Sequence, residues 1–258
     1  MHGWRLCNSR VESGGWHRTA KSQEFVADRH QLHQDGCAVL RGAISVQWLD
    51  GLRDAFDAVV KASDQWPVPR GWVWCHSLVD LDPNIRSVCR LPGLLAVVDE
   101  LIGERFFLAQ VEGREPLAAG GHQGLHRDMC AQRPGDTVIA IAYFDDYGAD
   151  NGATRWIPGS HRPVQSEPDF DAADESMAVQ LAGRAGDILV FDADLLHAAS
   201  LNPTGAHRSS ILINYFAEPR YAAHLETASL RSVQMAPAEW FDHVSLNDYS
   251  RSQRSIAG

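Results

Sequence analysis

The sequence predicts a mainly β protein: a double-stranded β-helix, the jelly-roll or cupin-like architecture, with N-terminal helices packed outside one of its sheets. Three observations predict it. From Arg105 onward, short runs rich in β-branched and aromatic residues alternate with clusters of Gly, Pro, Asn and Asp. There are eight such runs, and two sheets of four strands make a jelly roll. Before Arg105 the apolar residues recur at helical rather than alternating spacing. Finally, 258 residues are enough to bury a sizeable core, and barrels of this length commonly form one domain.

Taken in order, residues 1–20 carry Trp4, Trp16 and scattered Arg without an apolar core segment, so they read as a disordered extension and not as a signal peptide. Residues 21–258 are expected to form the single domain. Ser22 to Gln34 reads as a helix ending before Gly36, and Cys37 to Leu40 as a short strand. Ser45 is placed to cap a helix whose Trp48, Leu49, Leu52, Ala55, Phe56, Val59 and Val60 form one buried stripe. Trp66 to Asn84, with three Pro and three Trp, is expected to be irregular and either to pack on the core or to line a pocket. A second helix is expected from Pro92, with Pro just inside its start and Gly103 just past its end. The eight strand-like runs are Phe106–Val111, Leu125–Met129, Thr137–Phe144, Ala153–Ile157, Met177–Leu181, Ile188–Phe191, His197–Leu201 and Ser209–Phe216. The acidic segment Glu167–Glu175 is expected to be a surface loop outside any metal site.

Composition excludes several classes of function. Lys and Arg number 23 against 33 Asp and Glu, a net charge of −10, which argues against nucleic acid and against an anionic membrane surface. No run approaches the ~20 apolar residues of a membrane span. Five cysteines, at positions 7, 37, 75, 89 and 130, with no C-x-x-C, argue against a disulfide framework or zinc knuckle and fit a cytoplasmic setting.

The chemistry-bearing pattern is His126-Arg127-Asp128. In a strand, residues i and i+2 face the same way, so one imidazole and one carboxylate can reach a single ion. His197 follows the strand-like run Ile188–Phe191 and is the candidate third ligand. Two His and one carboxylate, leaving open positions, form the ligand set of non-haem Fe(II) oxygenases. A lone H-x-D is a weak signal, and with 12 histidines a purely structural His126 is unsurprising. A kinase catalytic loop is excluded, because it needs Asn five residues after the Asp and position 133 is Arg. Arg208 lies eleven residues past His197 and shares a strand face with Ser210, Leu212 and Asn214. Its guanidinium can hold a carboxylate bidentately, with the Ser210 hydroxyl as helper, which suits the distal carboxylate of 2-oxoglutarate. The bland alternative is an Arg paired with a structural Asp or Glu.

The segments Gly36–Ile44, His126-Arg127-Asp128, Asp150–His161, Gly186-Asp187, His197 and Arg208-x-Ser210 together resemble the phytanoyl-CoA dioxygenase family. Their most specific part is the Asn151-Gly152…Pro158-Gly159-Ser160-His161 run. The resemblance implies a double-stranded β-helix, Fe(II), 2-oxoglutarate and O₂, with succinate and CO₂ as co-products. It carries His126, Asp128 and His197 over as metal ligands and catalytic centre, and Arg208 and Ser210 as the cosubstrate clamp. It adds Gln123 and Thr154 as cosubstrate contacts and leaves His161 structural. Family halogenases replace the carboxylate ligand with a small residue, so Asp128 implies hydroxylation or a related oxidation. The partner expected is a small-molecule substrate; aromatics in Trp66–Trp74 are candidates to meet an apolar portion, and Arg114, Arg127 and Arg155 an anionic one. Two rivals stand beside this reading: a non-catalytic jelly-roll binding module, and a cupin-like metalloenzyme without 2-oxoglutarate.

Overall fold

The computed structural model describes residues 32–59, 61–62, 72–76, 82–128, 135–162, 174–226, 239–243 and 246, with the backbone alone at 61–62 and 72–76. The expected N-terminal extension, Trp66, Cys130 and most of the acidic segment lie outside them.

Residues 32–35 are helical and stop at Gly36, whose φ of +81° no β-carbon tolerates cheaply. Strand β1 (Cys37–Leu40) follows, then helix α1 (Val46–Val59), with the Ser45 hydroxyl accepting from the Gln47 amide at 3.4 Å. β2 (Lys61–Ala62) comes next, and the stretch from Trp66 expected to be irregular holds two elements, β3 (Trp72–His76) and the start of α2 (Pro83–Val88). β3 exists because it pairs along β4 (Phe106–Pro116), a tertiary partnership that local periodicity does not reveal. α2 forms because Asp82 caps it, its Oδ1 accepting from Asn84 and Ile85 amides at 2.6 and 3.2 Å. Helix α3 (Pro92–Ile102) ends at Gly103 with φ +67°, as the Pro–Gly asymmetry predicts.

The remaining strands are β5 (Thr137–Tyr143), β6 (Thr154–Trp156), β7 (Val179–Gln180), β8 (Ile188–Asp192), β9 (His197–Ala199) and β10 (Ser210–Ala217), then helix α4 (Tyr221–Glu226) and β11 (Trp240–Phe241). The larger sheet runs β1-β8-β5-β10-β4-β3-β2, with β11 also on β4; the smaller runs β7-β6-β9. The expected strand at Leu125–Met129 appears as an isolated antiparallel bridge between His126 and His197, which places His126 on the free edge of β9. Every pairing between these strands is antiparallel. The result is a double-stranded β-helix.

Strand alternation divides the core in two. Val138, Ala140 and Ala142 of β5, with Ile188 and Val190 of β8 and Ile211 and Ile213 of β10, face the helices, where Leu52, Phe56, Leu94, Leu95 and Val98 pack on them. Ile139, Ile141, Tyr143, Leu189, Phe191 and Leu212 face the smaller sheet and meet Ala153, Trp156 and Leu181. Two alanines on the helix side of β5 let α3 approach its backbone closely. Burying each large apolar side chain contributes ~1.5–3 kcal/mol, so the helices are fastened to the outside of the larger sheet while its other face is left to enclose a cavity.

Candidate metal centre

His126 and His197 meet because their backbones form one hydrogen-bonded antiparallel pair, each amide donating to the other's carbonyl at 3.0 Å. Opposed residues share a face, so both imidazoles point into the space between the sheets. Asp128, two residues past His126, returns to that face. The three side chains offer ligand atoms within 4.8 Å of one another, with Asp128 oxygens 3.2 Å from His126 Nε2 and 3.5 Å from His197 Nε2.

The outer nitrogens fix the rings. His126 Nδ1 donates to the Gly124 carbonyl at 2.8 Å and His197 Nδ1 to the Leu195 carbonyl at 2.9 Å. Both bonds set the tautomer that leaves Nε2 with a lone pair aimed inward. Phe191 packs on the His197 ring, centroids 4.6 Å apart. Burial pushes the Asp128 carboxyl up, but when a proton rather than a metal occupies each Nε2, hydrogen bonding to His126 and His197 prevails and holds it well below the usual carboxylate range.

All seven residues expected from the sequence line one cavity open to solvent: Gln123, His126, Asp128, Thr154, His197, Arg208 and Ser210. Arg208 is only 2% exposed; its Nη1 donates to the Ser210 hydroxyl at 3.4 Å, and that hydroxyl donates to the Arg114 carbonyl at 3.1 Å. Thr154 shares a 2.9 Å hydrogen bond with the Tyr143 hydroxyl, and Tyr143 stacks on Tyr147 at 3.9 Å. Burial lowers the Arg208 pKa, while Tyr143 and Glu115 act in the opposite direction. The walls also include Ile141, Ala199 and Leu212. The first and last follow from strand alternation on β5 and β10. Tyr143, which anchors Thr154, was not singled out; its place two residues beyond Ile141 on the inward face of β5 was the available signal.

The three arginines proposed to meet an anion part company. Arg114 lines the cavity, ion-paired to Glu112 at 2.6 Å. Arg127 faces away: its Nε donates to Asp194 O at 2.8 Å and Nη2 to Ser160 O at 3.1 Å. Arg155 is buried and donates to the Gln123 and Ala199 carbonyls and to Glu175. Arg127 and Arg155 are thus committed to backbone and acidic partners, a use that guanidinium count alone does not distinguish from ligand binding. The Pro-Gly-Ser-His turn supports β9 from below, the Ser160 hydroxyl accepting from the Leu196 amide at 2.8 Å. His161 packs against Gly36 and lies outside the cavity lining.

A family model described as phytanoyl-CoA dioxygenase matches residues 32–210. A Mycobacterium tuberculosis protein is 28% identical over 143 residues, 52% of this chain and 52% of its own; the chain spans about half the length of such curated relatives. The Fe(II)/2-oxoglutarate-dependent dioxygenase nvfF of Aspergillus novofumigatus is 34% identical over 101 residues, 35% of this chain and 32% of its own. Among solved structures, HygX of Streptomyces hygroscopicus, crystallised with nickel and 2-oxoglutarate, superposes with a TM-score of 0.61 at 15% identity, over 74% of this chain and 87% of that one. A likeness at that identity shows the shared fold.

Proposed function

Because the chain belongs to the phytanoyl-CoA dioxygenase family, we propose that it is an Fe(II)- and 2-oxoglutarate-dependent dioxygenase that hydroxylates a small molecule, with succinate and CO₂ as co-products. One observation carries the metal reading. Both imidazoles spend their Nδ1–H on backbone carbonyls, so in the neutral rings Nε2 is an acceptor, yet each Nε2 faces a carboxylate oxygen of Asp128. Lone pairs opposed in this way repel unless a proton or a metal cation lies among them, and two N and one O donor converging on one point suit a first-row divalent ion with positions left open.

The same cavity fits the cosubstrate. Arg208 and Ser210 would hold the distal carboxylate of 2-oxoglutarate, while its keto-acid end would lie toward His126, Asp128 and His197. Gln123 and Thr154 supply further polar contacts, Thr154 with its hydroxyl oriented by Tyr143. Bound Fe(II) and 2-oxoglutarate supply the oxygen activation; the chain contributes binding, orientation and exclusion of side reactions. Ile141, Ala199 and Leu212 form apolar walls that limit water, and the carbonyls of Gly124 and Leu195 keep the imidazoles in one tautomer. Asp128 occupies the ligand position whose loss would admit a halide, which favours hydroxylation. Among the described residues no helix is long and apolar enough to cross a membrane, and the substrate proposed is a small molecule reaching this cavity.

The test is Fe(II)-dependent conversion of 2-oxoglutarate to succinate by the purified protein, screened against small-molecule pools and followed by product mass. Wild type should form succinate and Asp128→Ala should not. Equal succinate from both proteins would contradict the ligand assignment.

A further inference from the structure

Gln123 and His126 both line the cavity, although they are an odd number of positions apart. In a regular strand, residues i and i+3 point to opposite faces. The pairing with β9 shows how this is resolved. Gln123 N donates to Ala199 O at 3.1 Å, while His126 pairs with His197. Three steps on one strand therefore oppose two on the other, which is the count of a β-bulge. Gly124, within this bulge, presents its carbonyl to His126 Nδ1. A bulged ladder lacks a regular bond, and here the Ala199 amide is satisfied by the Gln123 side-chain oxygen at 3.2 Å.

Arg155 lies across this irregularity. Its neighbours Thr154 and Trp156 face inward, so Arg155 is on the outer face of the smaller sheet, yet it is only 7% exposed. Nη1 donates to Ala199 O at 2.5 Å and Nη2 to Gln123 O at 2.7 Å. The far side of the guanidinium is held by Glu175, through Nη2 to Oε1 at 2.7 Å and Nε to Oε2 at 3.2 Å. One planar cation thus grips the strand of one imidazole, the strand of the other, and the end of the acidic segment.

We propose that Arg155, oriented by Glu175, is a positioning residue for the cavity: it fixes the bulge that brings Gln123 and His126 to the same face and aims His126 at the metal. This rests on the two-His, one-carboxylate reading. Lysine has no planar fork and cannot hold both carbonyls and the carboxylate together.

The experiment is calorimetric titration of Ni(II), and then of 2-oxoglutarate into the Ni(II)-loaded protein, with Tm measured alongside. Arg155→Ala should weaken both affinities by ~10- to 100-fold, the range for removing a group that orients a metal ligand. Arg155→Lys should fall between. Glu175→Gln removes a half-exposed charge, so it should keep the wild-type Tm and weaken both by ~2- to 5-fold, as a surface ion pair transmits little. A purely structural Arg155 would lower Tm and leave the affinities of the folded protein unchanged; that result overturns the proposal. If Arg155→Ala does not fold, Glu175→Gln decides alone, and wild-type affinities in it overturn the proposal. A wild type that binds no Ni(II), or an Asp128→Ala variant that binds it as tightly, overturns the triad reading itself, and the proposal falls with it.

Discussion

At the scale of single residues, the sequence carries side chains well and backbone partners poorly. The i, i+2 spacing of His126 and Asp128 and the shared face of Arg208 and Ser210 translate directly into positions on one cavity. The carbonyls of Gly124 and Leu195 that orient the two imidazoles leave no trace in residue identity, since every residue has one. Burial of charge is equally silent. Asp192 is 5% exposed, and burial, aided by the nearby carboxylates of Asp194 and Asp136, raises its pKa to about 6 from an ordinary 3.8. A raised carboxyl pKa means the folded state binds the proton more tightly than the unfolded chain, so stability falls as pH rises between about 4 and 6 and the loss is complete above. Asp192→Asn keeps the acceptor for the Asp194 amide and removes the charge. Its stability relative to wild type should be near zero at pH 4 and rise to ~2–3 kcal/mol at pH 7, at ~1.4 kcal/mol per pH unit. Urea unfolding at both pH values checks this; a pH-independent difference would mean that Asp192 is ionised without penalty in the fold.

At the scale of elements, periodicity located the strands that bury a face and missed those made by partnership. β5, β8 and β10 carry dense runs of β-branched and aromatic residues and β1 a short apolar run, and the bounds of all four match to within a residue or two. β3 lies among prolines and exists because β4 offers it an edge. Among the described residues, the expected Leu125–Met129 strand is a single bridge at His126. Junctions follow from glycine where a positive φ is required. Gly36, at φ +81°, ends the first helical turn and sits where a β-carbon would come within 2.4 Å of His161 Nδ1 and 2.8 Å of Leu195 Cδ1. Gly42, at φ +57°, has nothing within 4 Å of that position. Both substitutions to Ala cost the left-handed conformation, ~1–2 kcal/mol, and Gly36→Ala adds a clash, so it should be destabilised by at least ~1 kcal/mol more than Gly42→Ala in denaturant unfolding. Equal losses would mean that the His161 turn gives way freely.

At the scale of the molecule, helices fastened to the outer face of the larger sheet leave its inner face and the smaller sheet to enclose one cavity. Into it converge three candidate ligands from two strands and a buried guanidinium from the approach to a third. The jelly roll was legible in the texture of its strands; their division into sheets of eight and three rather than four and four, and their pairing order, were not, because these are set by which faces can be buried together. Arg208 and the triad are proposed to hold the two ends of one molecule, 2-oxoglutarate. Calorimetric titration of 2-oxoglutarate and of pyruvate, which lacks the distal carboxylate, into anaerobic Fe(II)-loaded wild type and Arg208→Ala tests it most directly. Hydrogen bonds to charged groups contribute ~1.5–3 kcal/mol each, and ~1.4 kcal/mol is tenfold. Arg208→Ala should therefore weaken 2-oxoglutarate by at least ~10-fold and leave pyruvate and Fe(II) binding unchanged, whereas an equal change for both oxoacids would show that Arg208 holds a structural carboxylate and that the cavity is not built for 2-oxoglutarate.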